Sequence, residues 1–326
     1  MNPSPFHPRQ RLLTLGLAGL AAAALLLAPA GCERKAADGP RKPRIALVMK
    51  SLANEFFLTM ENGARAHQKA NANKYELLAN GIKDELDVGR QIDLVEQMIA
   101  QRVDAIVIAP ADSKALVPVC KKARQAGIRV VNIDNKFDAG VLAQSGVKFP
   151  FVGPDNRKGA RMVGEYLAKH LKPGDEVAII EGAPNAFNAI QRKLGFEDAM
   201  KAAGMKVVSS QSGYWETDKA NKVAAAIINE YPNLKAFLCA NDSMALGVVA
   251  ALRDAGKLDR IRVVGYDNIA AVRQLLKEGR VLATADQHAD QLAVFGIEYA
   301  LEMLHSQAAP SDRETPVDLI TAASLK

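Results

Sequence analysis

The sequence predicts an α/β protein that contains two doubly wound parallel sheets. From Arg44 onward, short apolar runs of β-forming residues alternate with segments of helical period. The runs are apolar throughout, which is typical of parallel strands that are covered on both faces. About five strand–helix units precede Asn156 and about five follow it, so two copies of one sheet domain are the economical interpretation. The length of 326 residues suits two such domains.

The first 31 residues have the pattern of an export signal. Arg9 and Arg11 precede an apolar run over residues 12–28, and small residues follow that run. A transmembrane anchor is the weaker interpretation, because the run is short and rich in alanine and glycine. We therefore predict an exported protein that is located in the periplasm or cell envelope.

The residues after the apolar run leave two cleavage sites open. Ala28-Pro29-Ala30 fits cleavage before Gly31. Ala30-Gly31-Cys32 resembles a lipobox, with cleavage before Cys32 and a lipid on its thiol. We predict that Cys32 is a lipid anchor and that residues 32–43 form a flexible tether, so the protein meets the membrane only through that lipid.

The positive charge lies in the N-terminal segment. The net charge is +6, and residues 1–44 hold seven basic and two acidic side chains, a balance of +5. A nucleic-acid binder carries its charge on the folded domain, so the sequence argues against a nucleic-acid partner.

The other two cysteines, Cys120 and Cys239, lie in apolar surroundings in different halves of the chain. We expect both to be buried as small hydrophobic side chains, without a disulfide between them.

The predicted elements follow each other in a regular order. The predicted strands are 45–49, 75–79, 105–109, 129–133, 151–153, 177–181, 206–210, 236–240, 261–266 and 281–285. Helical periods cover 87–101, 113–126, 218–230 and 243–255, and Gly127 and Gly256 are stop signals for two of them. A further helix follows the first strand directly.

Polar and aromatic side chains gather after the strands. In open parallel sheets, ligands bind beyond the carboxyl ends of the strands. The candidate ligand-binding residues at these positions are Lys50, Asn54, Phe56, Phe57, Asp134, Asn135, Arg192, Trp215, Asn241, Asp267 and Gln287.

These residue types suit a neutral polyhydroxylated ligand. A carboxylate or amide bridges two neighbouring hydroxyls, and lysine or arginine supplies complementary donors. The C–H faces of a sugar ring pack on aromatic side chains. The pattern therefore predicts a binding site for a sugar or a similar polyol.

Each candidate also has a structural interpretation. Asp155 and Asp242 precede helices and fit N-caps, while Asp134 fits a turn. The two phenylalanines and Trp215 fit a core. Lys50 fits a solvated surface, and Arg192 fits an ion pair with Glu181 or another acidic residue. We expect one of the two phenylalanine rings to face the ligand and the other to face the core.

Signatures of catalysis are missing from the sequence. It contains no HExxH, GxSxG, P-loop or CxxC motif, and its five histidines are dispersed. We interpret His288 as a helix-start residue. We predict a binding protein without a metal or cofactor, not an enzyme.

The chain from about Arg44 to Leu325 resembles the periplasmic sugar-binding proteins of ABC importers, of the ribose-binding type. The resemblance rests on motifs in combination: IALVMKSLANEFF, VVNIDNK, FLCANDSMALG, VVGYDN and ATADQHADQLA. Lys50 and the Asp-x-Lys of IDNK are most similar to the allose-binding branch. These proteins also resemble the effector domains of lactose-repressor-like regulators.

The resemblance implies roles for single residues. Asn54 and the Phe56–Phe57 pair match an amide and an aromatic clamp of the first domain, and Asp134 matches a bidentate carboxylate. Asn135 stands where ribose binders have arginine, which differs from their pattern. The remaining matches are an arginine, an aromatic and a polar cluster of the second domain: Arg192, Trp215, Asn241, Asp267 and Gln287.

The resemblance also implies a periplasmic binding protein-like I fold, with two lobes joined by a three-segment hinge. The implied N-terminal lobe is 44–154 plus 287–318, and the implied C-terminal lobe is 155–286 plus 319–326. Crossings near Pro154, Gln287 and Asp318 would form the hinge, and Asn156 would be structural. The implied protein is a monomer that closes around a monosaccharide and is recognised by an ABC permease, a chemoreceptor or both.

Other functions differ from this one in recognisable ways. A related regulator would need a helix-turn-helix before the first strand, where this sequence has a signal and tether. A sugar-processing enzyme would need an acid–base pair. A receptor for another small polar ligand, such as a polyol, inositol, nucleoside or furanosyl signal, is the main alternative.

Overall fold

The computed structural model describes residues 41–306 and 309–325. The described strands are β1 (Arg44–Ser51), β2 (Glu76–Ile82), β3 (Ala105–Ile108), β4 (Arg129–Ile133), β5 (Phe151–Pro154), β6 (Glu176–Glu181), β7 (Lys206–Ser212), β8 (Leu234–Cys239), β9 (Arg262–Val264), β10 (Ala283–Asp286), β11 (Arg313–Thr315) and β12 (Asp318–Thr321). The described helices are α1 (Glu55–Ala70), α2 (Val88–Ala100), α3 (Val117–Gln125), α4 (Ala139–Gln144), α5 (Asn156–Ala168), α6 (Phe187–Ala202), α7 (Thr217–Glu230), α8 (Asp242–Asp254), α9 (Ala270–Lys277) and α10 (Ala289–His305), followed by a 3₁₀-helix over Ala322–Leu325.

The strands form two six-stranded sheets. The order is β11-β5-β4-β3-β1-β2 in the first sheet and β12-β10-β9-β8-β6-β7 in the second. The central strands are buried on both faces, as the uninterrupted apolar run Ile45–Met49 requires. The predicted fold class is therefore confirmed, and the two sheets have equivalent strand orders.

Two short strands and one strand direction differ from the sequence prediction. Strands β11 and β12 contain only three and four residues, and both include charged side chains, so no apolar run marks them. Strand β12 pairs antiparallel with β10, whereas the other described strand pairs are parallel.

The predicted helices are present, with one later start. Helix α3 begins at Val117 and not at Ser113, because the Asp112 carboxylate accepts hydrogen bonds from the amides of Lys114 and Ala115. That local turn competes with helix formation. Gly127 and Gly256 follow α3 and α8 in the left-handed conformation (φ +84° and +64°), as their stop signals predict.

The chain passes between the two sheets at three places. It leaves β5 of the first sheet for α5, which packs against β9 and β10 of the second. It returns after β10, because α10 packs against α1, β3 and β4. The third passage lies between β11 and β12, and Asp318 pairs with Asp286 in the second sheet.

Both Cys120 and Cys239 are buried and free, as predicted. The predicted signal, the anchor residue Cys32 and most of the tether lie outside the described residues. Within the described part of the chain, no helix combines the length and apolar character that crossing a bilayer requires.

Candidate functional site

A small cavity lies where the carboxyl ends of the two sheets face each other. The empty space between its lining atoms is about 230 Å³, part of which is open to solvent. This limits the occupant to a small molecule. The lining residues are Lys50, Asn54, Phe56, Phe57, Glu85, Asp134, Asn188, Arg192, Trp215, Asn241, Asp267 and Gln287.

The end of β1 and the start of α1 supply one wall. Asn54 is the N-cap of α1, and its Oδ1 accepts a hydrogen bond from the Phe56 amide at 3.1 Å. This cap fixes the turn that carries Phe56 and Phe57, whose rings meet edge-on at 5.1 Å. Both residues line the cavity and both belong to the core, so which of the two rings faces a ligand stays a prediction.

Lys50 and Asp134 form a buried ion pair beside this wall. Lys50 Nζ lies 3.1 Å from Asp134 Oδ2, and their side chains are 4% and 2% exposed. The alternative interpretation of Lys50 as a solvent-exposed surface lysine is therefore wrong. Asp134 directly follows β4 in the left-handed conformation (φ +60°), which turns its carboxylate toward β1. Asp134 Oδ2 has no hydrogen bond with suitable geometry in the protein.

Arg192 reaches the cavity from α6 and is held by three acceptors. Its Nε donates to Asn156 Oδ1 at 2.8 Å, and its Nη1 donates to the Ala240 carbonyl at 2.9 Å and to Asp267 Oδ1 at 3.4 Å. The guanidinium also stacks 3.7 Å from the centroid of Tyr266. Asn156 thus positions Arg192 and does not line the cavity, in agreement with its predicted structural role.

Trp215 lies between the two cations of the site. Its ring is 5.5 Å from Lys50 Nζ and 5.6 Å from Arg192 Cζ. The ring packs against the backbone of Gly182, where a Cβ would lie 2.2 Å from two ring carbons. A residue with a side chain at position 182 would therefore displace the indole.

Asn241, Asp267 and Gln287 contribute from the ends of three neighbouring strands of the second sheet. Asn241 caps α8 through the Met244 amide, and its Nδ2 donates to the Trp215 carbonyl at 3.4 Å. Gln287 Nε2 donates to Asp267 Oδ1 at 2.7 Å. Burial raises the pKa of Asp267 well above its usual value, although the positive charge of Arg192 acts in the opposite direction.

Two lining residues were not among the sequence-based candidates. Glu85 follows the observed end of β2 by three residues, but the predicted strand ended earlier, at Ala79. Asn188 precedes Arg192 by one helical turn, so the two share a face of α6. The position of Glu85 after the end of a strand, and the position of Asn188 one helical turn before Arg192, are the sequence signals that could have identified them.

Glu85 is a buried carboxylic acid with one free oxygen. Its Oε1 accepts a hydrogen bond from Asn54 Nδ2 at 3.0 Å, and its Oε2 has no partner. Burial raises the pKa of Glu85 to about 7, while Lys50 and the hydrogen bond from Asn54 lower it.

Asn135 lies outside the cavity, unlike the other sequence-based candidates. Its Nδ2 donates to the Pro110 carbonyl, and its Oδ1 accepts from the Ser113 hydroxyl and from the Asn188 amide. Its side chain is therefore occupied in connecting the two sheet domains and is not available to a ligand in this arrangement.

Direct hydrogen bonds join the two sides of the cavity. Asn185 Nδ2 donates to Asp112 Oδ2 at 2.7 Å, and the Phe187 amide donates to Ser113 Oγ at 2.9 Å. On the opposite side, Ser243 Oγ donates to Asn54 Oδ1 at 3.3 Å. These contacts describe a closed arrangement of the cleft.

The structural alternatives have mixed outcomes. Asp155 caps α5 as predicted, through the Lys158 amide, and His288 occupies the N-cap position of α10. Asp242 is not an N-cap, because Asn241 takes that position and Asp242 instead accepts from Thr284 Oγ1 and the Ile269 amide. Arg192 pairs with an acidic residue as its structural interpretation allows, but that residue is Asp267, whereas Glu181 pairs with Lys193.

The cavity offers more acceptors than its own donors satisfy. Three buried oxygens of lining residues have no partner, Glu85 Oε2, Asn188 Oδ1 and Gln287 Oε1, and a fourth, Asp134 Oδ2, meets only the Lys50 ammonium at 3.1 Å. An unpaired buried oxygen costs about 1–3 kcal/mol, so the site favours a ligand that brings several donors. Residues 41–306 and 309–325 contain no cluster of side chains suited to a metal ion.

Comparisons with known proteins agree with this architecture. Residues 45–308 match the model of the periplasmic binding protein domain. The chain is 64% identical over 290 residues to the D-ribose/D-allose-binding protein of Pseudomonas aeruginosa, which covers 88% of this chain and 91% of the relative.

Two solved structures have the same fold. An ABC transporter solute-binding protein from Burkholderia multivorans, with an unknown ligand represented as α-D-erythrofuranose, has a TM-score of 0.84 and 64% identity, covering 86% of this chain and all of that one. A periplasmic solute-binding protein from Actinobacillus succinogenes with bound D-allose has a TM-score of 0.82 and 36% identity, covering 87% and 99%. The chain therefore belongs to the family of periplasmic binding protein domains.

Proposed function

We propose that this protein is the extracytoplasmic receptor of an ABC sugar importer and binds one monosaccharide, a pentose or hexose of the ribose or allose kind. The observation that carries this proposal is the set of three unpartnered buried oxygens, Glu85 Oε2, Asn188 Oδ1 and Gln287 Oε1, in the small cavity between the two sheets. Each of them accepts one hydrogen bond from a ligand hydroxyl, and a monosaccharide carries several hydroxyls on a small ring.

The other groups of the cavity fit the same ligand. Lys50 and Arg192 can donate hydrogen bonds to hydroxyl oxygens, so the site offers both acceptors for the hydroxyl hydrogens and donors for the hydroxyl oxygens. Phe56, Phe57 and Trp215 provide apolar faces for the C–H surfaces of a sugar ring.

The charge of the lining favours a neutral ligand. Two basic residues, Lys50 and Arg192, face three acidic ones, Glu85, Asp134 and Asp267. Burial holds the pKa of Glu85 near neutrality and raises that of Asp267, which reduces the negative charge of the site. Neither an anion nor a cation finds a large excess of opposite charge.

The comparisons support the choice of ligand class. The relative from Pseudomonas aeruginosa binds D-ribose and D-allose by its name, and the structure from Actinobacillus succinogenes holds D-allose. We therefore expect the ligand of this chain to be a pentose or a hexose.

We further propose that the ligand shifts an equilibrium between open and closed lobes. The proposed lobes are 44–154 plus 287–318 and 155–286 plus 319–326, with the hinge at the three passages of the chain between the sheets. Closure brings Asp134 of one lobe and Arg192 of the other to the same small ligand, which stabilises the closed form only through its better contacts there. An ABC permease then recognises the closed form.

The proposed location is the periplasm or cell envelope. Cleavage before Cys32 would leave a lipid on its thiol and a tether over residues 32–43, so that a monomeric receptor stays near its permease or a chemoreceptor. Intact-mass analysis of the mature protein tests this anchor. A chain that starts at Gly31 without added lipid mass would contradict it.

The ligand is tested by calorimetry and thermal unfolding on protein refolded from guanidinium, which removes any bound ligand. At a ligand concentration 100 times the Kd, binding adds about 2.7 kcal/mol of stability. For a domain of this size we expect a rise in Tm of about 5 °C. D-ribose and D-allose are the primary ligands, and sucrose is the control.

Each outcome of this panel has a clear meaning. A rise with ribose or allose, and none with sucrose, supports the proposal. A rise only with myo-inositol or a nucleoside moves the protein to the alternative class of small polar ligands. No rise with any of these compounds contradicts sugar binding.

A further inference from the structure

Glu85 has a polar group that the protein itself does not use. The residue lies in the loop after β2 and is 3% exposed. Oε1 accepts from Asn54 Nδ2, which explains one oxygen, while Oε2 is buried without a hydrogen bond. A glutamine in this position would hold Asn54 equally well through its Oε1, so support of Asn54 does not account for the carboxyl group.

The hydrogen bond from Asn54 places Glu85 beside the wall formed by the end of β1 and the start of α1, which also carries Lys50, and this part of the cavity is its Lys50 end. Lys50 has the largest charged influence on Glu85, followed by Asp134 and Glu216, which both carry like charge. Lys50 is already paired with Asp134 at 3.1 Å. The Lys50 ammonium is thus in direct contact with the Asp134 carboxylate, while Glu85 has no direct ion pair among the described contacts.

A ligand hydroxyl supplies both the donor that Glu85 Oε2 lacks and an acceptor for the Lys50 ammonium. Its hydrogen is donated to Glu85 Oε2, and its oxygen accepts from the Lys50 ammonium, whose three donors are not exhausted by Asp134. An acceptor that is buried and unpaired without the ligand also penalises any ligand that lacks the hydroxyl.

We propose that Glu85 is a specificity-determining ligand contact, whose Oε2 accepts a hydrogen bond from one particular hydroxyl of the bound sugar at the Lys50 end of the cavity. This inference rests on the proposed function and names the group that distinguishes a sugar from its deoxy analogue at this end. In this proposal Glu85 accepts a hydrogen bond from one hydroxyl, while Arg192, Asp267 and Gln287 contact another part of the ligand.

The test combines variants of Glu85 with deoxy sugars. The tighter-binding sugar of D-ribose and D-allose, and each of its monodeoxy derivatives, is titrated calorimetrically into wild type, Glu85→Ala and Glu85→Gln. Glu96→Gln is the matched control, because Glu96 is an exposed glutamate on α2 that pairs with Lys122 outside the cavity.

We expect Glu85→Ala to weaken binding of the parent sugar at least tenfold and Glu96→Gln to leave it unchanged. For one monodeoxy derivative, wild type and Glu85→Ala should bind within a factor of two, because the hydroxyl that Glu85 contacts is missing. Glu85→Gln should weaken the parent sugar and spare the same derivative. This variant keeps the side-chain size if the alanine variant fails to fold.

Other results would overturn the inference in distinguishable ways. If Glu85→Ala and Glu85→Gln bind the parent sugar as wild type does, Glu85 is not a contact. If both variants weaken all derivatives by the same factor, Glu85 acts only through the shape of the site. If wild type binds no sugar at all, the proposed function fails, and the inference fails with it.

Discussion

Replacing Asp134 by asparagine should destabilise the protein by leaving Lys50 without its partner. The substitution keeps the size of the side chain, and asparagine tolerates the left-handed conformation of this position. It removes one charge from an ion pair of 3.1 Å whose side chains are 4% and 2% exposed. A buried ammonium ion then remains without a direct counter-charge.

The expected magnitude follows from the burial of the pair. Breaking a buried ion pair by removing one partner costs about 3–5 kcal/mol. Glu85 also acts on Lys50 and replaces part of the lost charge, so we expect the low end of that range, about 3 kcal/mol. Removing Asp134 also removes a like charge near Glu85, which should lower the pKa of Glu85.

A second variant separates the unpaired charge from other effects. Adding Lys50→Met to Asp134→Asn removes the ammonium group and should restore most of the lost stability, because an apolar replacement of a buried pair is often neutral. Both variants should lose sugar binding, since both lack a proposed ligand contact. Urea unfolding without ligand measures the stability, and calorimetry measures the binding.

Either of two results would show that an unpaired buried charge is not the cause of the lost stability. One is a loss of less than about 1 kcal/mol in Asp134→Asn, which would place the pair among exposed ion pairs in energetic terms. The other is a double variant that is less stable than the single one, because the unpaired charge would then not be the cause.

Two further perturbations test the positioning of Trp215 and the burial of Glu85. Gly182→Ala should destabilise the protein by about 1–3 kcal/mol and weaken sugar binding, because the added Cβ would overlap the indole of Trp215. Gly89→Ala is the control, because Gly89 is an exposed residue of α2, and this variant should be neutral or slightly stabilising in urea unfolding. The pKa of Glu85 is raised from 4.5 to about 7, so its contribution to stability is present below pH 4.5 and is lost as the pH rises through 7, by about 3 kcal/mol in all. Unfolding free energies of ligand-free wild type and Glu85→Gln are measured at several pH values. The stability of wild type relative to Glu85→Gln should fall by about 3 kcal/mol between pH 4.5 and 8. A relative stability that does not change with pH would contradict the raised pKa of Glu85.

The strands and most of the cavity could be predicted because their signals are local. An uninterrupted apolar run such as Ile45–Met49 can be satisfied only between two covering layers, and a parallel sheet supplies them. Once the strands are known, the carboxyl ends within each sheet share an edge, which places Lys50 near Asp134 in the first sheet and Asn241 near Asp267 in the second.

Glu85 and Asn135 show where that local rule stops. Both follow strands, yet Glu85 lines the cavity and Asn135 does not. The difference lies in the hydrogen bonds that each side chain makes: Ser113, Pro110 and Asn188 bond to Asn135, whereas Asn54 is the only described residue that donates to the Glu85 carboxyl group. Such partners are distant in the sequence, so no local pattern contains them.

The sequence by itself therefore determined the class of fold, the arrangement of the strands in two sheets and the polar character of the predicted ligand. Hydrophobic periodicity and residue type decide these properties, and both are readable along the chain. The tertiary structure decided the antiparallel direction of β12, the pairing of Lys50 with Asp134 and the choice of which polar side chains stay free for a ligand. Those properties depend on distances and burial between segments that meet only when the chain folds, because the energy of a buried polar group is set by its partners.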